Sequence, residues 1–139
     1  MPMIDIYAPR DLFPDGTDRK LAKELTLALL RAEGVQKPAP VQLNNTAAYI
    51  HRLDPKAVHT AGTDSGRTVR VQVLTPPGAL NRAGQKSFVA EAAAIVASIA
   101  EDPTQATRTW VLLSEAAEGG WGIAGTAFGR EEFAALAKK

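Results

Sequence analysis

Residues 3–34, MIDIYAPRDLFPDGTDRKLAKELTLALLRAEG, hold one strand pattern and one helix pattern, and the recurrence of both further along decides the fold. Met3 to Ala8 is an apolar run of strand length. Pro9 to Gly16 is a loop, punctuated by two prolines and a glycine. Thr17 is placed to cap a helix over 18–33, with Asp18 in the first turn, where the helix dipole favours an acid. Leu21, Leu25, Ala28, Leu29 and Ala32 line one face of it at helical spacing. Gly34 is a fitting stop.

The plan then repeats. Val69 to Thr75 alternates Val, Arg, Val, Gln, Val, a half-buried strand pattern, and Pro76-Pro77-Gly78 closes it. Residues 85–100 read as a second helix, with Phe88, Ala92, Ile95, Val96 and Ile99 on one face. These are the first helix's five face positions shifted by one offset, 88 − 21 = 67 residues, with no gap. The same offset sets Pro9 on Pro76 and Glu24 on Glu91. Val41 to Asn45 is expected as the strand after the first helix, and Thr109 to Ser114 as the strand after the second. Asp54 to Gly66 reads as a connector between the halves.

The fold class expected is therefore α+β, in two layers: a four-stranded mixed sheet with two helices on one face. The 139 residues form one domain of two β-α-β repeats, about 1–45 and 68–115, followed by a C-terminal hairpin. Crossovers make the two strands within each repeat parallel. Ile4 and Ile6 alternate with Met3 and Tyr7, and Trp110 and Leu112 with Val111 and Leu113, so the strands are apolar on both sides. Such a sheet needs a second cover, and self-association supplies one.

Composition narrows the function. The 16 basic and 15 acidic residues give a net charge of +1, which leaves no electrostatic footprint for nucleic acid or an anionic membrane. With no cysteine, thiolate catalysis, disulfides and Cys-ligated metals are excluded. The start does not read as a signal peptide, and no apolar run has the length to span a bilayer. A cytoplasmic protein with no cofactor and no metal is expected.

Gly120-Trp121-Gly122-Ile123-Ala124-Gly125 has the spacing G-x-G-x-x-G, but only 14 residues follow it, too few for a dinucleotide-binding β-α-β unit. A tight hairpin over 118–125 is the better reading, with Trp121 packed on another surface or lining a pocket. His51 and His59 lack metal-ligand spacing and read as exposed. Asn44-Asn45-Thr46 is a glycosylation sequon in form only. Arg67, Arg70 and Arg108 read as surface charges. Arg10 and Arg82 lie in corresponding loops after the first and third strands, where binding groups gather, and guanidinium grips carboxylates bidentately.

Pro2 heads the first strand. If Met1 is removed, Pro2 presents a secondary amine, at once base, nucleophile and proton carrier, held by the sheet. Taken with the doubled β-α-β pattern and the late glycine-rich hairpin, this resembles the tautomerase superfamily, the group of 4-oxalocrotonate tautomerase, malonate semialdehyde decarboxylase, the 3-chloroacrylic acid dehalogenases and macrophage migration inhibitory factor. The sharpest likeness is Thr109-Trp110-Val111-Leu112-Leu113-Ser114-Glu115 followed by Gly120 to Gly125, where Trp121 falls on the family's aromatic.

The resemblance implies a homotrimer of double-length chains, with Pro2 as catalytic base. It implies that Arg82 and Arg10 hold a small 2-keto or enol carboxylate and that Trp121 forms part of the pocket wall. A tautomerase-type isomerase is the activity expected. A lyase decarboxylating or dehalogenating a three-carbon acid is the alternative, and a trimeric module without catalysis, its Pro2 blocked, is the rival from another class. The chain departs from the family where a loop arginine is replaced by Gly16 and a strand arginine by Trp110. The water-activating acid of the dehalogenases has no counterpart in the hairpin.

Overall fold

The computed structural model describes residues 1–137. Four strands, β1 (Met3–Pro9), β2 (Ala47–Leu53), β3 (Val69–Thr75) and β4 (Thr109–Glu115), form one sheet in the order β2-β1-β3-β4. β1 runs parallel to β2, and β3 to β4, while the central pair β1 and β3 is antiparallel. The sheet is thus mixed, and its halves are two β-α-β units joined back to back.

The helices α1 (Asp18–Ala32) and α3 (Arg82–Ile99) cover one face. Ile4, Ile6 and Ala8 from β1, and Val69, Val71 and Val73 from β3, point into this layer and are buried. They meet Leu21, Leu25, Ala28 and Leu29 of α1 and Phe88, Ala92, Val96 and Ile99 of α3. These are the residues that the shared 67-residue offset brings into register, so the pattern repeat is a repeat of core positions. Gly34, at φ 89°, turns the chain out of α1, and Val35 N–H reaches back to Leu30 O at 2.9 Å. Thr17 stands at the cap position of α1, but its hydroxyl donates to Pro14 O at 2.7 Å and not to the helix.

Two boundaries differ from expectation for local reasons. Residues 41–45 are not a strand: Pro40 opens a short helix, α2 (Pro40–Asn44), because proline suits a first helical position. Gln42 Oε1 accepts the Ala39 N–H at 2.9 Å and fixes this turn. The strand follows as β2, so the first repeat runs on to Leu53. The second helix begins at Arg82, three residues earlier than residue 85, because Asn81 Oδ1 accepts the Gly84 N–H at 2.8 Å and caps it.

Beyond the sheet, β5 (Trp121–Ile123) and β6 (Thr126–Phe128) form an antiparallel hairpin. It turns on Ala124 at φ 50° and Gly125 at φ 82°, the two positive angles of a type I′ turn. The ribbon lies a few residues later than 118–125. A fourth helix, α4 (Arg130–Ala137), which the sequence patterns did not reveal, follows it and sets Phe133 edge-on to Phe128, ring centroids 5.2 Å apart.

Among the described residues, the opposite sheet face carries no helix. Tyr49, Leu74, Trp110 and Leu112 stand on it with 57%, 39%, 50% and 42% of their surface exposed. Among the described residues no helix is long and apolar enough to cross a membrane.

Candidate functional site

The N-terminus lies at the head of β1, beside the start of β2 and the end of β3. The Ala47 N–H donates to Pro2 O at 3.3 Å, and Met3 pairs with Leu74. Pro2 is buried, and its nitrogen is an amide while Met1 precedes it. A cavity of about 480 Å³ opens at this end. Met1 and Glu33 form its polar end, and Val35, Ala39, Val41 and Gln42 one wall. Residues Pro76 to Ala79 form a second wall, and Arg130, Phe133 and Leu136 of α4 close the third. The lining is mostly apolar with a few convergent polar groups, the usual make-up of a small-molecule site.

The electrostatics centre on one pair. The Met1 ammonium lies 3.8 Å from Glu33 Oε1, and the side chains of the two residues are only 5% and 6% exposed. Burial lowers the amine's pKa from its ordinary 8.0, more than the attraction of Glu33 raises it. Burial likewise pushes the Glu33 carboxyl above its ordinary 4.5, more than the ammonium lowers it. An amine with reduced proton affinity beside an apolar cavity is suited to taking and returning protons near neutral pH.

The residues singled out from sequence are dispersed. Arg82 is not in a loop but opens α3; it is exposed, and its Nη1 donates to Gln85 Oε1 at 3.3 Å. It shares a shallow groove with Lys86, Val89 and Leu113, separate from the Met1 cavity. Arg10 follows β1 at its other end, roughly 26 Å from Pro2 at the rise of an extended strand. Its N–H donates to Leu53 O at 2.7 Å. Trp121 is buried, opposite Phe128 in the hairpin, and does not line the cavity.

Glu33 and Arg130 escaped the sequence reading. Glu33 carries a signal, an acid at a helix C-terminus where the dipole favours bases. Arg130 carries none, since it depends on an unforeseen helix. Its guanidinium lies 3.6 Å from Glu118 and is 81% exposed. His51 is not a free surface histidine: its Nε2 lies 2.7 Å from Asp5 Oδ1, on the open sheet face. Among the described residues no group of His, Asp or Glu is arranged to hold a metal ion.

No protein-family model matches the sequence, and neither does any curated protein. Solved structures do match. A fused 4-OT symmetric trimer, Q0, superposes with a TM-score of 0.76 at 16% identity, over 96% of this chain and 98% of that one. The chain has the tautomerase-superfamily fold. N1, a member of the cis-3-chloroacrylic acid dehalogenase family, matches with a TM-score of 0.73 at 19% identity, over 99% and 92% of the two chains. The macrophage migration inhibitory factor of Toxoplasma gondii gives 0.71 at 14% identity, over 91% and 99%. The fold therefore runs through nearly the whole double-length chain, including the segment between about Thr46 and Gly66, where the sequence resemblance is thinnest.

Proposed function

We propose that this protein is a tautomerase-type isomerase acting on a small 2-keto or enol carboxylate, with Pro2 as the base once Met1 is removed. The observation that carries the reading is the burial of the chain's N-terminal amine at the polar end of the 480 Å³ cavity. Loss of Met1 moves the terminal amine one residue inward, to the fixed head of β1. The neutral secondary amine takes a proton from one carbon or oxygen of the substrate and returns it to another. Arginine stabilises the negative charge that develops on the enolate. No cofactor is required for this chemistry.

The cations that serve the carboxylate are proposed to be Arg82 and Arg10, with Trp121 supporting the pocket wall. Arg82 belongs to the same end of the molecule as Pro2, since α3 follows β3 there. Arg10, at the opposite end of β1, serves only if a neighbouring copy brings it to the cavity. That requirement fits the proposed homotrimer, in which copies cover one another's open sheet faces. The match to a fused 4-OT trimer supports the same assembly.

A second reading is favoured by one observation. Met1 is well accommodated, its ammonium set against Glu33, so a form that keeps Met1 is a stable protein with Pro2 blocked. That form is a trimeric module without catalysis. An ultraviolet assay of phenylenolpyruvate ketonisation tests the isomerase reading. Wild-type protein with Met1 removed turns the substrate over, and Pro2→Ala slows turnover more than any other single substitution. Equal turnover in the two proteins would refute it.

A further inference from the structure

Glu33 stands where an acid should be unfavourable. It caps the C-terminal end of α1, at the negative pole of the helix dipole. Its side chain is 6% exposed, and among the described residues its Oε1 has no hydrogen-bond partner. Buried polar atoms are normally satisfied, and an orphaned one calls for an explanation. The backbone fixes its position: Glu33 N–H donates to Leu29 O at 3.0 Å, and Gly34 turns the chain directly after it.

Among the described residues, the charged groups around Glu33 leave it one counterion. Arg31, two residues earlier, is paired with Glu91 on α3. Arg130, on the facing α4, is paired with Glu118. Gln42, from α2, is neutral and already accepts the Ala39 N–H. The Met1 ammonium, at 3.8 Å, is the remaining cation of the cavity among the described residues.

We propose that Glu33 is a positioning residue for the N-terminal amine, holding at the cavity's polar end whichever amine heads the chain, that of Met1 before processing and that of Pro2 after it. The shift on losing Met1 is about 3.8 Å along the chain, within the sweep of a glutamate side chain changing rotamer. The carboxylate then has a counterion in both forms. Its bearing on turnover rests on the reading of Pro2 as base; the contact with the amine does not. When substrate gives its proton to the amine, the ammonium formed faces a carboxylate, so no uncompensated charge is created in an apolar cavity. Glu33 also raises the amine's proton affinity against the lowering effect of burial.

The test compares wild type, Glu33→Gln and Glu33→Asp, each prepared with Met1 retained and with Met1 removed. The terminal amine is titrated directly, by its rate of acetylation with acetic anhydride as a function of pH, read by mass spectrometry of the N-terminal peptide. In parallel, the pH profile of kcat/KM is measured with phenylenolpyruvate. Glu33→Gln moves the acetylation midpoint and the acid limb of kcat/KM to lower pH. Glu33→Asp moves both in the same direction by less, and it serves alone if the Gln variant does not fold. A midpoint that is the same in wild type and in the folded variants overturns the proposal. If only the Pro2 reading is wrong, the midpoint still moves with Glu33→Gln while turnover is absent or indifferent to Pro2→Ala.

Discussion

On the sheet face away from the helices, Tyr7 stacks on His51, with ring centroids 4.3 Å apart and planes 9° from parallel. Two further groups complete the arrangement: the Arg70 guanidinium lies 4.3 Å from the Tyr7 ring centroid, and Asp5 holds the His51 Nε2. A cation over an aromatic face contributes about 0.5–2 kcal/mol, more as water is excluded. Tyr49, Trp110 and Leu112 lie exposed on the same face. The proposed trimer covers them, so light scattering at micromolar concentration should give three times the monomer mass. Trp110→Asp should shift that mass towards the monomer, and a wild-type monomer would contradict the assembly.

The pairing of Met1 with Glu33 makes stability depend on pH. The amine's folded pKa lies below 8.0, so the unfolded chain binds the extra proton between the folded value and 8.0, and stability rises with pH across that window. Glu33's folded pKa lies above 4.5, so the folded chain keeps the extra proton from 4.5 up to its folded value, and stability falls with pH there. In protein that keeps Met1, Glu33→Gln abolishes the falling leg and, by lowering the amine's folded pKa further, widens the rising one. Denaturant melts at pH 4 and pH 8 should show the variant gaining on wild type by on the order of 1 kcal/mol at the higher pH. A difference that does not change with pH would place the Glu33 carboxyl in water.

Arg82→Ala should raise the apparent KM for a 2-keto acid by the equivalent of about 1.5–3 kcal/mol, the worth of a charge-assisted hydrogen bond. Arg10→Ala should do the same only while the protein is assembled, because Arg10 lies at the far end of β1 from its own Pro2. A mixture of Arg10→Ala and Pro2→Ala subunits should then recover activity above either parent. If both arginine variants keep wild-type kinetics, these residues are solvated surface charges.

Gly84 lets the first turn of α3 approach the end of α1. A Cβ there would lie 2.6 Å from Ala32 O and 3.2 Å from Leu80 Cδ2. The first of these atoms is backbone and cannot rotate aside. Gly84→Ala should therefore cost about 1–3 kcal/mol of stability despite alanine's better helix propensity. An unchanged melting temperature would show that the two helices are free to separate.

The alternation in β3 and β4 and the matched faces of α1 and α3 were legible because each element buries one side against the same core. The second strand was not. Val41 to Asn45 has strand-forming residues, but Pro40 and the Gln42 contact with Ala39 make a helical turn there. The true strand, Ala47–Leu53, hides its signal because Tyr49 and His51 face the open side. Pro2 was legible as a candidate from position alone. Glu33 was legible only as an acid at the wrong end of a helix, and its role needed the three-dimensional approach of the N-terminus. Arg82 was assigned to a loop because Asn81's capping was not recognised, although Asn81 is a good cap residue.

The most direct test of Pro2 as base is a comparison of the same protein with Met1 retained and with Met1 removed, each verified by intact mass, in phenylenolpyruvate turnover across pH. Removal should switch turnover on, with one group titrating near neutrality, while the retained form stays at background because its Pro2 nitrogen is an amide. Equal turnover in the two forms would show that the Pro2 nitrogen does not carry the proton.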